Sequence, residues 1–372
     1  VNFAPYEPIG FGMNVMSANF GVPMSENYNF NIQRQLTPST VASLAYVGNV
    51  GRHLEGAYTL NPAGQAPGVN PGAAALGCTA VDLPSCDPSS FALNPLVYGE
   101  TGYQATDFNS NYNALQFELN KKFSNGLQFL ASYTWSRYFD QTSNLENNAF
   151  NDPGINPFDF ASMYAPSAND VPQRLVLSYY YTLPIYRFVR RLRPLTDGWT
   201  LTGITTFQSG YPVGVFDSAN TSLTCDPAIT FYGCPDRANR TSVAIVTGNP
   251  RTYSFGGEPN YWINPGAFSI PAPGTGIGDA SRNPFYGPGI NNWDIALLKD
   301  IHITESKFFE LRFETYNTFN HTQFLGGSTN GLNGGGIVSD VNNPEFGRVL
   351  SVVQGSTDGE GRVIQLAGKF YF

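Results

Sequence analysis

The sequence predicts an all-β protein built from a single antiparallel series of long strands. One side of residues 28–36 is mainly apolar, whereas the other side contains only Asn and Gln, and this alternation with period two is typical of a strand. Similar segments recur along the chain and are mostly eight to twelve residues long. The connections between them alternate between short and long. The short ones indicate hairpin turns that all lie at the same end of the strands.

Nine segments carry the alternation. Their length suits the roughly 9 to 11 residues with which a tilted strand crosses a bilayer. The alternative is a soluble sandwich, whose strands are more often about 5 or 6 residues long and whose core would bury Phe30, Phe129, Tyr179 and Phe313 together. The predicted strands are 28–36, 41–48, 112–123, 127–136, 174–183, 199–208, 292–301, 308–319 and 362–372.

The connections favour the membrane interpretation. Four are short, at 37–40, 124–126, 184–198 and 302–307, and four are long, at 49–111, 139–173, 209–291 and 320–361. Barrels of the bacterial outer membrane have short periplasmic turns and longer loops outside. The strict alternation requires "FGRVLSVV" (346–353) to belong to the last long connection, and we predict that it does. Trp135 and Trp293 then lie toward the outer strand ends and Trp199 at an inner end, as in the aromatic girdles of such barrels.

Composition agrees with this interpretation. Charged residues make up 13% of the chain, against about 25% in typical soluble proteins, while Phe (28) and Tyr (21) are abundant. A net charge of −8 argues against a nucleic-acid-binding surface. No apolar run reaches the roughly 18 residues of a membrane-spanning helix, so a membrane protein of this sequence would have to be a closed β-barrel.

The four cysteines form two close pairs within loops rich in Gly, Pro, Asp and Ser. Cys78 with Cys86, and Cys225 with Cys234, predict two small disulfide-closed loops in an oxidising compartment, with free thiols as the alternative. A metal site is disfavoured because no histidine lies near either pair.

No residue pattern indicates catalysis, a cofactor or a metal. His53, His302 and His321 lie in or beside different connections and lack metal-ligand spacing. Glu310, Arg312 and Glu314 alternate with apolar residues, which predicts a ladder of charges facing the lumen; a paired-carboxylate hydrolase is the alternative. The composition of the aromatic-rich segment 260–274 agrees equally well with ligand contact and with loop packing. Substrate-binding residues are therefore not assigned.

Several long phrases of the sequence resemble a known family. "NFNIQRQLTPSTVASLAYVGNVGRHL", "YNALQFELNKKFSNGLQFLASYTWSRYFD", "GWTLTGITTFQSGYPV" and "NNWDIALLKDIHITESKFFELRFETYNTFNHTQF" are similar to the carboxyl-terminal barrel of TonB-dependent outer-membrane receptors. More narrowly, they resemble the Oar-like type, which carries a carboxypeptidase-regulatory-like domain. The likeness covers most of residues 26–372. It implies that the last strand is the signal by which the assembly machinery recognises the barrel, carried by Ile364, Leu366, Phe370 and Phe372.

The resemblance also sets expectations about organisation and partners. Receptors of this family have about twenty-two strands, a plug domain and a TonB box. The chain starts at Val1 without a leader, so residues 1–25 are expected to continue an outer loop from a missing upstream part. The expected partners are outer-membrane lipid, the assembly machinery, an unknown large ligand at the outer loops, and the TonB system only through the missing amino-terminal part. The expected location is the cell outer membrane. An adhesive surface protein and a barrel enzyme are the alternatives.

Overall fold

Nine long strands, each hydrogen-bonded to the next along the chain, form the main sheet. The structure, a computed structural model, describes residues 13–59, 101–143, 159–187, 193–218, 237–272, 277–304, 306–327, 336–353 and 361–372. The strands are β1 (Met24–Thr37), β2 (Thr40–Thr59), β3 (Thr101–Ser124), β4 (Leu127–Asp140), β5 (Gln173–Thr182), β6 (Trp199–Gln208), β7 (Ile290–His302), β8 (Phe308–Tyr316) and β9 (Val363–Tyr371).

All nine predicted strands are present, and every consecutive pair is antiparallel. The predicted all-β, antiparallel fold class is therefore confirmed. Two short strands, Met13–Met16 beside β3 and Ala165–Pro166 beside β4, complete an eleven-stranded sheet. Within the described residues the sheet is open, with β1 and β9 as its edges.

The sandwich alternative is wrong, because the apolar side chains are not buried between two sheets. Phe30 is 65% exposed and Phe313 is 45% exposed, and both lie in the same sheet. Phe129 and Tyr179 face each other across β4 and β5 and are partly exposed. The described residues therefore place these four side chains on one open surface, as a barrel exterior requires.

The turns follow from local sequence. Asn125 and Gly126, between β3 and β4, have φ values of 54° and 78°, which is the backbone of a type I′ hairpin and suits an Asn-Gly pair. Pro38 and Ser39 join β1 to β2. The turn between β5 and β6 contains a 3-10 helix at Ile185–Arg187 and one helical turn at Arg193–Thr196.

Gly198, which precedes β6, offers a test of this turn geometry. Its φ is +72°, and an added Cβ would lie 2.6 Å from the Asp300 carbonyl oxygen. We expect Gly198→Ala to lower the free energy of unfolding by about 2–3 kcal/mol, because backbone strain and a close contact add together. Gly256→Ala is the matched control, since Gly256 has a φ of +59° but open space around it, and should cost only about 1 kcal/mol. Urea unfolding in lipid vesicles measures both values; equal losses would contradict the role of the close contact.

Two strands are longer than predicted. Residues 49–59 and 101–111, assigned to a connection from the sequence, instead extend β2 and β3 beyond the main sheet as a ribbon, and the short strand Met13–Met16 pairs with its residues 101–104. Register shifts near Gly51 and Leu54 break the alternation there, which hid the strand pattern. Phe108 is fully buried in this ribbon and packs over Gly56, where a Cβ would lie 2.3 Å from its ring.

Strand β8 is shorter than predicted and ends at Tyr316 rather than Phe319. Asn317 has a φ of 49°, and its side chain donates to the His321 carbonyl and accepts from the His321 amide. This side-chain turn replaces continued strand pairing. The segment 346–353 lies in the connection between β8 and β9, as predicted, and forms only isolated bridges.

The long connections contain short elements. Within the described residues no helix is long and apolar enough to pass through a membrane. The remaining short elements are 3-10 helices at Phe160–Met163 and Pro265–Ala267 and strands at Pro212–Val213, Asn239–Arg240, Ser254–Phe255, Glu258–Pro259, Phe268–Ser269 and Phe285–Tyr286.

Candidate functional site

One face of the main sheet is apolar from β1 to β9, and we call it the apolar face. Strand register aligns its side chains across neighbouring strands, so that Phe30, Tyr46, Leu115 and Trp135 stand in one row. A second row contains Leu127, Tyr181, Leu201, Leu297, Phe313 and Leu366. Many of these large side chains are more than a third exposed. In water such a continuous apolar surface would be unfavourable, whereas in a bilayer it contacts hydrocarbon.

The opposite, polar face carries the predicted charge ladder. The Arg312 Nε lies 2.5 Å from Glu310 Oε1, and its Nη1 lies 3.8 Å from Glu314 Oε1. Glu310 stands between Asp300 on β7 and Lys369 on β9. Arg312 therefore pairs with both glutamates along the strand, whereas Asp300 is a like charge opposite Glu310. Because one guanidinium is shared by the two glutamates, the arrangement supports the ladder interpretation rather than a free pair of carboxylates.

Aromatic and polar side chains mark the two borders of the apolar face. At the turn end, the Trp199 indole donates to the Leu195 carbonyl at 2.8 Å, and Lys299 Nζ lies 5.9 Å from the Trp199 ring centre. Toward the other end, the Tyr28 and Tyr46 hydroxyls both donate to Asn113 Oδ1, at 3.0 and 2.7 Å. Such amphipathic belts are typical of the water-lipid borders of membrane barrels.

The long connections fold together into a cap, which comprises the described residues of 141–172, 209–289 and 317–362. Its centre is a hydrophobic cluster contributed by the second and third of these segments. The Trp262 amide donates to the Gly347 carbonyl at 2.9 Å, which joins the two segments by backbone. The buried cluster comprises Val213, Val215, Ala238, Ile263, Ala267, Phe268, Ala280, Phe285, Ile337, Phe346 and Val349.

Buried polar contacts tie this cluster to the end of β4 and to the first segment of the cap. Arg282 and Asp140 form a buried ion pair, and Arg282 Nη2 also donates to the Asp140 carbonyl at 2.8 Å. The Tyr286 hydroxyl donates to the buried Asp170 carboxylate at 2.6 Å. Burial, followed by the hydrogen bond from its hydroxyl to Asp170, raises the pKa of Tyr286, so that the phenol keeps its proton and remains a donor.

A cleft opens between two parts of the cap. It has a volume of about 310 Å³ and lies between the segment 255–270 and the segment 341–346. Four aromatic rings line it, from Phe255, Tyr261, Phe268 and Phe346, together with the polar side chains of Ser269 and Asn343. This cleft is the candidate ligand site.

The cleft contains part of the aromatic segment 260–274 for which ligand contact and packing were both predicted. The structure shows packing, since Tyr261 and Phe268 are buried, and also places both rings in the cleft lining. Sequence reasoning missed Phe255 and Phe346. The "FGGE" stretch after Ser254 was an available signal, because a Gly-Gly pair between short strands indicates a hairpin.

The remaining predicted residues have different outcomes. Ile364, Leu366 and Phe370 lie exposed on the apolar face of β9, and Phe372 follows directly after this strand; their role as an assembly signal stays a prediction. The cysteine pairs lie outside the described residues.

His302 is at the turn end of the sheet, whereas His53 and His321 lie away from that end. No group of three or more His, Cys, Asp or Glu side chains in the described part of the chain could hold a metal ion.

An antiparallel sheet with an apolar face, a polar face and a folded cap at one end defines a β-barrel protein of the cell outer membrane. The chain belongs to the outer membrane beta barrel domain family, whose sequence profile matches residues 2–365. No curated protein sequence matches the chain.

Solved structures similar to the chain include outer-membrane proteins. One is the outer membrane transporter YddB from Escherichia coli, with 8% identity and a TM-score of 0.42 over 98% of this chain and 35% of that chain. Another belongs to the FpvAI–pyocin S2 complex, with 12% identity and a TM-score of 0.38 over 94% of this chain and 27% of that chain. The chain thus spans about a third or less of the proteins it matches.

Proposed function

We propose that the chain is the barrel portion of an outer-membrane receptor that takes up a large substrate, of the TonB-dependent, Oar-like type. The observation that carries this proposal is the folded cap with its aromatic cleft, at the end of the sheet opposite the short turns. A simple pore needs no such structure over its mouth, whereas a receptor needs a surface that captures its ligand before passage.

In this mechanism each of the three surfaces described above has a separate role. The apolar face contacts lipid, the polar face lines the lumen and contacts the plug, and the cap binds ligand outside the cell. Energy would reach the barrel through the TonB system and the amino-terminal part of the receptor. A plug domain and TonB box encoded immediately upstream would favour this proposal, and a signal peptide encoded there instead would favour an adhesive surface protein.

Orientation is tested by labelling two serines that are exposed at opposite ends of the molecule. Ser242 lies in the cap and Ser306 in the turn between β7 and β8. On intact cells a membrane-impermeant maleimide should label Ser242→Cys above the background of the parent protein. Ser306→Cys should be labelled only after the outer membrane is permeabilised. The reverse pattern would contradict an outward-facing cap and with it the proposed receptor.

A further inference from the structure

We propose that the aromatic cleft of the cap binds a neutral sugar ring. The inference rests on the proposed function, because it assigns a ligand class to the surface that the receptor would present outside the cell. Four features of the cleft support it: an exposed aromatic ring (the platform), a base of buried aromatic rings (the floor), polar groups without a hydrogen-bond partner, and the absence of charge among the described residues that line the cleft.

Phe255 is the platform. It ends the short strand Ser254–Phe255, which pairs with Glu258–Pro259 through a two-residue turn of Gly256 and Gly257. Both glycines have positive φ, at 59° and 91°, as a tight hairpin of this type requires. The hairpin holds the Phe255 ring 47% exposed to water and 5.7 Å from the buried Tyr261 ring. The exposed ring is therefore available in the cleft wall for stacking with a ligand.

The floor is rigid. Tyr261, Phe268 and Phe346 are buried, and the Phe268 and Phe346 rings meet edge to face with their centres 6.1 Å apart. The cleft volume of about 310 Å³ is at the lower end of the roughly 300–1,000 Å³ of ligand pockets. It therefore suits one or two rings of a ligand, with the rest of a large substrate outside.

The polar groups point to a ligand that has hydroxyls. Asn343 Oδ1 accepts from the Glu345 amide at 2.9 Å, which leaves the Asn343 amide nitrogen to donate. In the described part of the chain neither that nitrogen nor the Ser269 hydroxyl has a hydrogen-bond partner. A sugar combines an apolar ring face, which can stack on Phe255, with hydroxyls that can accept from Asn343 and bond to Ser269.

The charged side chains near the cleft do not line it and already bond to other groups of the protein; the Arg240 guanidinium lies 5.1 Å from the Phe268 ring centre. Arg348 contacts Glu345 and lies 3.6 Å from Glu258, and the Arg240 guanidinium donates to the carbonyls of Ala267 and Val243. A carboxylate or phosphate in the cleft would lose hydration without a charged side chain in the described lining to contact. The cleft therefore favours neutral sugars over uronic acids and phosphorylated sugars.

The test uses the whole protein, purified from outer membranes in detergent, on an array of neutral and acidic glycans. Neutral glycans should bind and acidic analogues of the same chain length should not. For the best neutral glycan, calorimetry should show about tenfold weaker binding for Phe255→Ser and a smaller loss for Asn343→Ala. Tyr164→Ser is the matched control, because Tyr164 is also 47% exposed but lies in another segment of the cap; its affinity should be unchanged.

Three results would overturn the inference: no neutral glycan bound, acidic glycans bound equally well, or full affinity in Phe255→Ser. Thermal unfolding checks that each variant is folded. The cysteine labelling of Ser242 and Ser306 uses no glycan, so correct labelling with a negative array rejects only the sugar assignment. Reversed labelling rejects the proposed receptor whatever the array shows.

Discussion

Replacing Leu366 by Arg is expected to destabilise the membrane-inserted barrel, whereas Arg at the adjacent Gln365 is expected to be tolerated. Leu366 is 76% exposed on the apolar face, where it stands opposite Phe313. Gln365 points to the polar face and stands opposite Glu314, a favourable partner for Arg. A cation on the lipid side of a barrel costs about 2–4 kcal/mol near the bilayer centre, and a lumen-facing cation costs little.

Urea unfolding in lipid vesicles, followed by the gel shift between folded and heated protein, measures the difference. Because Leu366 also belongs to the predicted assembly signal, a second matched pair is needed away from the last strand. Phe117→Arg and Gln116→Arg on β3 provide it, since Phe117 lies on the apolar face opposite Leu44 and Gln116 lies on the polar face. Equal losses within both pairs would mean that the apolar face does not contact lipid.

The sequence was sufficient to predict the main sheet because each strand shows the apolar–polar alternation within its own residues. An apolar face that contacts lipid imposes period two on every strand, and the Asn125–Gly126 turn identifies its hairpin locally. The Glu310–Arg312–Glu314 ladder was predictable for the same reason, since alternate residues of one strand share a face.

The extension of β2 and β3 was not predictable by the same pattern. Beyond Gly51 the pairing shifts register, and the ribbon is stabilised by burial of Phe108 against Phe160 of another connection, with ring centres 5.7 Å apart. Contacts of this kind bury both sides of a strand, so that alternation disappears. The strand is then specified by its tertiary partners rather than by its own side chains.

The cleft was only partly predictable because its lining converges from separate segments. The aromatic stretch containing Tyr261 and Phe268 was recognisable, but Phe346 reaches the same cleft from the next long connection. The hydrophobic cluster beneath it likewise joins residues from Val213 to Val349. Local pattern carries no information on such pairings. Nothing in the neighbouring sequence distinguishes an aromatic residue that lines the cleft from one elsewhere in a long connection.

Replacing Arg282 by Met is expected to open the cap while leaving the main sheet intact. Arg282 and Asp140 are both almost fully buried and are 142 residues apart in sequence. Removing the guanidinium leaves the Asp140 carboxylate buried without its counter-charge, which typically costs about 3–5 kcal/mol. Hydrogen exchange should increase in residues 237–289, and the strand amides of β1 to β9 should keep their protection.

The double variant Asp140→Asn/Arg282→Met separates loss of the charge pair from loss of packing. It removes both charges, so most of the protection lost in Arg282→Met should return if the unpaired carboxylate is the cause. Arg251→Met is the control for a lost arginine, because the Arg251 side chain is exposed and within the described residues donates one hydrogen bond, to the Thr322 carbonyl at 3.2 Å. If exchange in Arg282→Met matched that of Arg251→Met, the buried pair would not be what joins the cap to the end of β4. The closed shape of the cap would then depend on the Tyr286–Asp170 contact and the hydrophobic cluster.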